Sequence, residues 1–176
     1  MRVLVLVLSL LLGAAAPAWA QSPPADWKLW RYPDLHMVLR APGAAQPEVK
    51  HATLDVAGRD GLPAVTVTND QIVVLDGGQY ALMVGVSDWS GNTRPMSIQG
   101  VIDGAVAAMK VDVTGPVRTR AWPGGEAREY DAMRGAEVVR CRIIIVHRRV
   151  YQIMALSLTG QLPADTDAFI ASVMPD

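Results

Sequence analysis

A chain of 176 residues is long enough for one domain of ordinary size and short for two. With 16 Lys and Arg against 17 Asp and Glu the formal charge is -1, which argues against a nucleic-acid-coating protein and against a long acidic or basic tail. The composition, 51% hydrophobic and 19% charged, supports a buried core, and a single Cys excludes an intramolecular disulfide framework and every multi-Cys zinc or iron–sulfur site.

Residues 1–20 read as a secretory signal peptide. Arg2 gives a positive start, 3–12 is apolar except for Ser9, and Ala18-Trp19-Ala20 is an A-x-A cleavage site. The apolar run falls well short of the roughly 20 residues a membrane-spanning helix needs. No Cys follows it, so the lipoprotein form of the signal is absent. Cleavage after Ala20 leaves a flexible leader, 21–26, and a folded unit is expected over 27–174. Removing the signal removes Arg2 alone, so 15 basic and 17 acidic residues remain, a net of -2. The expected location is periplasmic or secreted, with no integral membrane span after processing.

After the leader, 27–32 is rich in aromatics, and Tyr32-Pro33-Asp34 reads as a turn into a short strand, 35–40, ended by Ala41-Pro42-Gly43. Residues 50–57 alternate, with Ala52, Leu54 and Val56 against His51, Thr53 and Asp55, the pattern of a half-buried strand. Gly58-Arg59-Asp60-Gly61 is a turn before an extended 64–68. The runs 71–75 and 79–89 flank Asp76-Gly77-Gly78 and predict a hairpin, because glycine supplies the positive φ its turn demands. Tyr80, Leu82, Val84 and Val86 form one stripe of the second arm, with Ala81, Met83 and Gly85 opposite. Both stripes are fairly apolar, which predicts a central strand covered on both faces.

Residues 90–95 form a loop. Ile98, Val101, Ile102, Ala105, Ala108 and Met109 then recur at helical spacing, which predicts a helix near 96–110 whose Gly100 and Gly104 permit close packing on a sheet. Beyond it 111–122 alternates through Arg118, Arg120 and Trp122, Pro123-Gly124-Gly125 turns the chain, and 126–133 is extended or irregular. Arg134-Gly135 turns again, and 137–147 and 149–158 are long β-branched runs joined around His147-Arg148. Pro163 opens a final short helix with Phe169, Ile170 and Val173 on one face and Asp165 or Thr166 as N-cap. Strands, one helix, more strands and a last helix predict an α+β fold, an antiparallel β-sheet flanked by helices in a single domain.

This layout resembles the PsbP-like and Mog-like α/β/α sandwich group, which includes small exported bacterial proteins. The resemblance spans most of the mature chain. It rests on Trp27 and Tyr32-Pro33-Asp34, on Met37-Val38-Leu39 with Ala41-Pro42-Gly43, on the strand at 80–86 and the helix after it. It continues through Pro123-Gly124-Gly125-Glu126, the Arg140 to Arg142 strand, Arg149-Val150-Tyr151-Gln152-Ile153 and Phe169-Ile170-Ala171-Ser172-Val173. Glu126-Ala127 after Gly125 departs from the pattern. The resemblance implies an α/β/α sandwich and a non-enzymatic accessory or binding role. It carries over no specific activity, because members of the group do very different things.

Among chemistry-bearing residues, His36, His51 and His147 lie far apart in sequence, and their spacing predicts no metal site. Gly85-Val86-Ser87-Asp88-Trp89 approaches the Gly-x-Ser-x-Gly elbow of hydrolases, but Trp89 replaces the second glycine and the segment reads as a strand end. Cys141 alternates with Val139, Ile143 and Ile145, away from Arg140 and Arg142, as a buried thiol would. Arg118 with Arg120, and Arg140 with Arg142, each share a strand face. On adjacent strands these four form a guanidinium patch able to hold a carboxylate or phosphate, or they pair with Glu126, Glu129, Asp131 and Glu137. No phosphate loop or dinucleotide fingerprint is present, so no cofactor is expected. Trp27 and Trp30 either pack the core or meet a partner. The expected function is an exported, non-enzymatic accessory or binding protein of the cell envelope that takes an envelope protein or a small anionic ligand. The alternative is a periplasmic hydrolase whose His, Asp and Ser converge from distant strands.

Overall fold

The computed structural model describes residues 23–43, 45–58, 63–76, 78–93 and 95–176. The signal peptide at 1–20, the start of the leader, most of the expected turn at 58–61 and Gly77 lie outside the described residues.

The chain opens with β1 (Lys28–Tyr32), a single 3-10 turn (Pro33–Leu35) and β2 (Met37–Ala41). Next come the short β3 (Val49–Lys50) and β4 (Thr53–Val56), then the long hairpin of β5 (Val65–Asp76) and β6 (Tyr80–Asp88). Helix α1 (Ile98–Met109) is followed by β7 (Asp112–Val113), β8 (Arg118–Arg120), β9 (Gly125–Arg134), β10 (Glu137–Val146) and β11 (Arg149–Ser157). Helix α2 (Thr166–Ser172) and β12 (Met174–Pro175) close the described chain.

Nine of the strands make one sheet in the order β3-β5-β6-β11-β10-β9-β7, with β4 on β5 and β8 on β9. All its pairings are antiparallel. The other three make a small sheet, β1-β2-β12. In the β9–β10–β11 meander, β10 and β11 are long because they are β-branched and aromatic at the positions that must pack. Its last strand returns to pair with β6, so the segment between β6 and β9 has to cross the sheet, and α1 makes that crossing. The Ser97 hydroxyl starts the helix by accepting the Gly100 N–H, and Lys110 ends it in the left-handed region.

The expected α+β fold, an antiparallel sheet flanked by helices as an α/β/α sandwich, is corrected here. Strands take 49% and helices 15% of the described residues, and the layers form a β-sandwich. The reason lies at the two ends of the fold. Residues 28–32 and 37–41 pair as a hairpin with Tyr32, Met37, Leu39 and Ala41 turned inward and buried. Residues 174–175 then add a third strand to it. A sheet therefore occupies the layer where a helix was expected, and the seven-residue α2 fits only beside it.

Two cores result. Between the sheets, Leu82, Val84 and Ile153 meet Leu39, Phe169 and Ile170, with Trp27 set edge-on to Phe169 at 6.5 Å. The Tyr151 hydroxyl crosses this core to donate to the Leu35 carbonyl at 3.0 Å, which ties the 3-10 turn to the large sheet. On the opposite face, Ile98 and Ile102 of α1 pack on Tyr130, Val139, Cys141 and Ile143.

Candidate functional site

The register of β8, β9 and β10 assembles the four arginines. Glu129 stands between Arg118 on one side and Arg142 on the other, and Asp131 stands opposite Arg140. Because directly opposed residues share a face, all of these project on the side that carries Ala127, Ile144 and Val146, toward the small sheet and α2.

Glu129 is the hub, with a side chain only 8% exposed. Its Oε1 accepts from Arg118 Nε and Nη2 and from Arg120 Nη2, and its Oε2 accepts from Arg142 Nε and Nη2, at 2.7 to 3.3 Å. Asp131 accepts from both terminal nitrogens of Arg118 and from Arg140 Nε. Arg140 also donates to Asp167 at 2.7 Å, and Arg142 donates to the Ile170 carbonyl at 3.2 Å, so the cluster clamps α2 onto the sheet. Burial alone would raise the Glu129 pKa. The hydrogen bonds from Arg120 and Arg142, with their charges, outweigh it and hold Glu129 at about 2. The bond to Asp131 raises the Arg140 pKa further, so its charge is permanent. Three carboxylates thus hold the guanidiniums in fixed planes while Arg118, Arg120 and Arg140 keep between 24% and 31% of their side chains exposed. Glu129 and Asp131 are partners named from alternation, whereas Glu137 pairs with Arg134 instead. Asp167, on a helix 27 residues from Arg140, was not anticipated.

The other nominated residues fall elsewhere. Cys141 is fully buried among the residues under α1, and burial pushes its thiol up to about 12. The Ser87 hydroxyl donates to Asn69 Oδ1 at 3.1 Å. On the other face of the same strands, His51 Nδ1 lies 2.8 Å from Asp70 Oδ1. Asp70 is opposite Val86, which belongs to the inter-sheet core, while Ser87 is opposite Val150, which belongs to the core under α1. The sheet therefore separates the Ser from the His–Asp pair. His36 caps the 3-10 turn and His147 sits in the β10–β11 turn. Trp27 is core, and Trp30 packs against it half-buried.

Sequence reasoning missed the surroundings of His51. An open cleft of about 510 Å³ lies where β1 meets the edge of the large sheet, lined by Arg31, Asp34, Gln46, Glu48, His51 and Asp70 among others. The Tyr32 hydroxyl donates to the Pro47 carbonyl at its base, and Gln46 donates to the Arg31 carbonyl. The Glu48-x-x-His51 spacing was the available signal. Among the described residues no group of three or more His, Cys, Asp or Glu is placed to hold a metal ion, and no helix is long and apolar enough to cross a membrane. No family model, curated protein or solved structure matches this chain.

Proposed function

We propose that the protein is an exported, non-enzymatic accessory or binding protein of the cell envelope that offers its arginine face to an acidic partner or a small anionic ligand. The observation that carries this reading is preorganisation. Arg118, Arg120 and Arg140 are pinned from beneath by Glu129, Asp131 and Asp167 with their rims still exposed, so an incoming carboxylate meets donors whose side-chain entropy is already spent. The hydrolase alternative is not favoured, because Ser87 and the His51–Asp70 pair stand on opposite faces of the sheet.

Reversing all four charges would break the cluster that holds α2, so the informative change is Arg118→Gln at the most exposed member. The test is a crosslinking pull-down of the tagged mature chain from its own cell envelope, read by mass spectrometry, beside the Arg118→Gln variant at matched folding. One saturable partner or anionic ligand, weakened at least tenfold by the variant, supports the reading. Saturable binding that the variant leaves unchanged removes the arginine face from it, and turnover in an ester, peptide and phosphoester screen overturns it.

A further inference from the structure

The outer face of the small sheet has no task inside the molecule. In β1 and β2, Trp30, Tyr32, Met37 and Leu39 turn into the core between the sheets. Side chains alternate along a strand and opposed residues share a face. The register therefore gathers Leu29 and Arg31 of β1, Val38 and Arg40 of β2 and Met174 of β12 on the other side. Leu29 and Met174 are 40% and 48% exposed, and neither they nor Val38 joins either core.

The charge on this face is as unengaged as its apolar surface. Arg118, Arg120, Arg134, Arg140, Arg142 and Arg149 form salt bridges, and Arg148 donates to carbonyl oxygens. Among the described residues Arg31, Arg40 and Arg128 alone keep guanidiniums without a partner, and two of these three share the outer face. The acids of the neighbouring cleft, Asp34, Glu48 and Asp70, leave Arg31 unpaired, and Asp26 and Asp176 lie beyond the strand ends. None of the five face positions carries a carboxylate or a neutral polar group.

We propose that this face rests on an anionic lipid bilayer. Arg31 and Arg40 hold headgroup phosphates, and Leu29, Val38 and Met174 enter the boundary between headgroups and acyl chains. The argument is charge complementarity joined to the character of the surface. A guanidinium chelates a phosphate through two N–H donors, and aliphatic side chains between such cations leave no other group to be solvated or bonded. A protein partner fits the face poorly. Three strands span about 10 Å, and five side chains fall far short of the roughly 20–30 residues that a stable protein interface takes from each side. A bilayer sets no such threshold, because each basic residue near an anionic surface adds about fivefold and each aliphatic group adds its own buried area. The contact is peripheral and reversible. It points away from the large sheet and its arginine cluster, and it holds whether or not that cluster takes a ligand.

The test is co-sedimentation of the mature chain, at low salt, with vesicles of phosphatidylglycerol and phosphatidylcholine in equal parts and with vesicles of phosphatidylcholine alone. The chain binds the first and not the second, and about 0.5 M salt releases most of it. Arg31→Gln with Arg40→Gln lowers the partition about 25-fold. Leu29→Ser with Met174→Ser lowers it at least about fivefold. Arg128→Gln changes it less than about twofold, since Arg128 stands opposite Ile143 on the far face of the large sheet. As a second measurement, a polarity-sensitive dye on Leu29→Cys shifts to shorter wavelength on the anionic vesicles, and the same dye on Leu158→Cys, at the end of β11, does not. Cys141 is buried and stays unlabelled. Anionic vesicles that fail to bind the chain, binding that Arg128→Gln weakens as much as the outer-face pair does, or a Leu29 label blind to lipid overturns the proposal.

Discussion

Replacing Glu129 by glutamine removes one charge from the centre of the arginine cluster while keeping the shape of the side chain. In the folded protein that carboxylate accepts from three guanidiniums and is held at about 2, against 4.5 for the unperturbed group. The interval is worth about 3 kcal/mol at about 1.4 kcal/mol per pH unit, and the loss of a buried ion-pair partner independently costs about 3–5 kcal/mol. For a domain of this size that is about 10 °C in melting temperature. The sign follows from the depressed folded pKa. The stabilisation is complete above pH 4.5 and is lost as pH falls from there toward about 2. Urea unfolding followed by tryptophan fluorescence should therefore find Glu129→Gln about 3 kcal/mol less stable at pH 7, with roughly half that gap or less at pH 3. A gap under about 1 kcal/mol at pH 7, or one that does not shrink with acid, would refute the account of Glu129 as the hub.

Three further outcomes are expected. Gly125→Ala places a Cβ against the Ile145 carbonyl oxygen of the neighbouring strand, and the backbone must move, so unfolding midpoints should show a loss of about 2–3 kcal/mol. In the β10–β11 turn His147 and Arg148 both have positive φ, at 48° and 61°, where Asn-Gly is preferred. His147→Asn should gain about 0.5 kcal/mol. Arg148→Gly should lose about 1 kcal/mol, because the Arg148 guanidinium donates to the Trp89 and Asn92 carbonyls, and thermal melts of both variants check the opposite signs. Cys141, buried with its thiol pushed up to about 12, should resist a thiol reagent at pH 8 in the native protein and react at once in denaturant.

The hairpins were readable because their signals are local. Alternation around His147-Arg148 marks both arms of the β10–β11 hairpin, whereas 126–133, ahead of the Arg134-Gly135 turn, reads only as extended or irregular and proves to be the strand β9. The same alternation brought Arg118, Arg120, Arg140 and Arg142 to one face and named Glu129 and Asp131 as partners. What stayed hidden depends on contacts across the whole chain. Asn69-Asp70 reads as a break between 64–68 and 71–75, yet β5 runs straight through it, because Asn69 accepts from Ser87 and Asp70 pairs with His51. The small sheet escaped for a similar reason. Nothing in 28–41 says that residues 174–175 will pair with it, so the layer they form together could not be told from a helix layer. Gly100 and Gly104, expected against the sheet, are exposed, and this was illegible too, since helical spacing gives a stripe and not the side on which the sheet lies.

The pairing of β12 with β2 bears on when this protein can finish folding. Met174 lies opposite Val38, Asp176 donates to the His36 carbonyl, and the Ser172 hydroxyl caps the Arg40 backbone on the same edge. The second strand is thus completed by residues far from it in sequence, a long-range contact and therefore slow to form. Until β12 docks, the hairpin of β1 and β2 keeps one unpaired strand edge, open to pairing with another chain, so the last step of folding is also the one that closes the small sheet to aggregation.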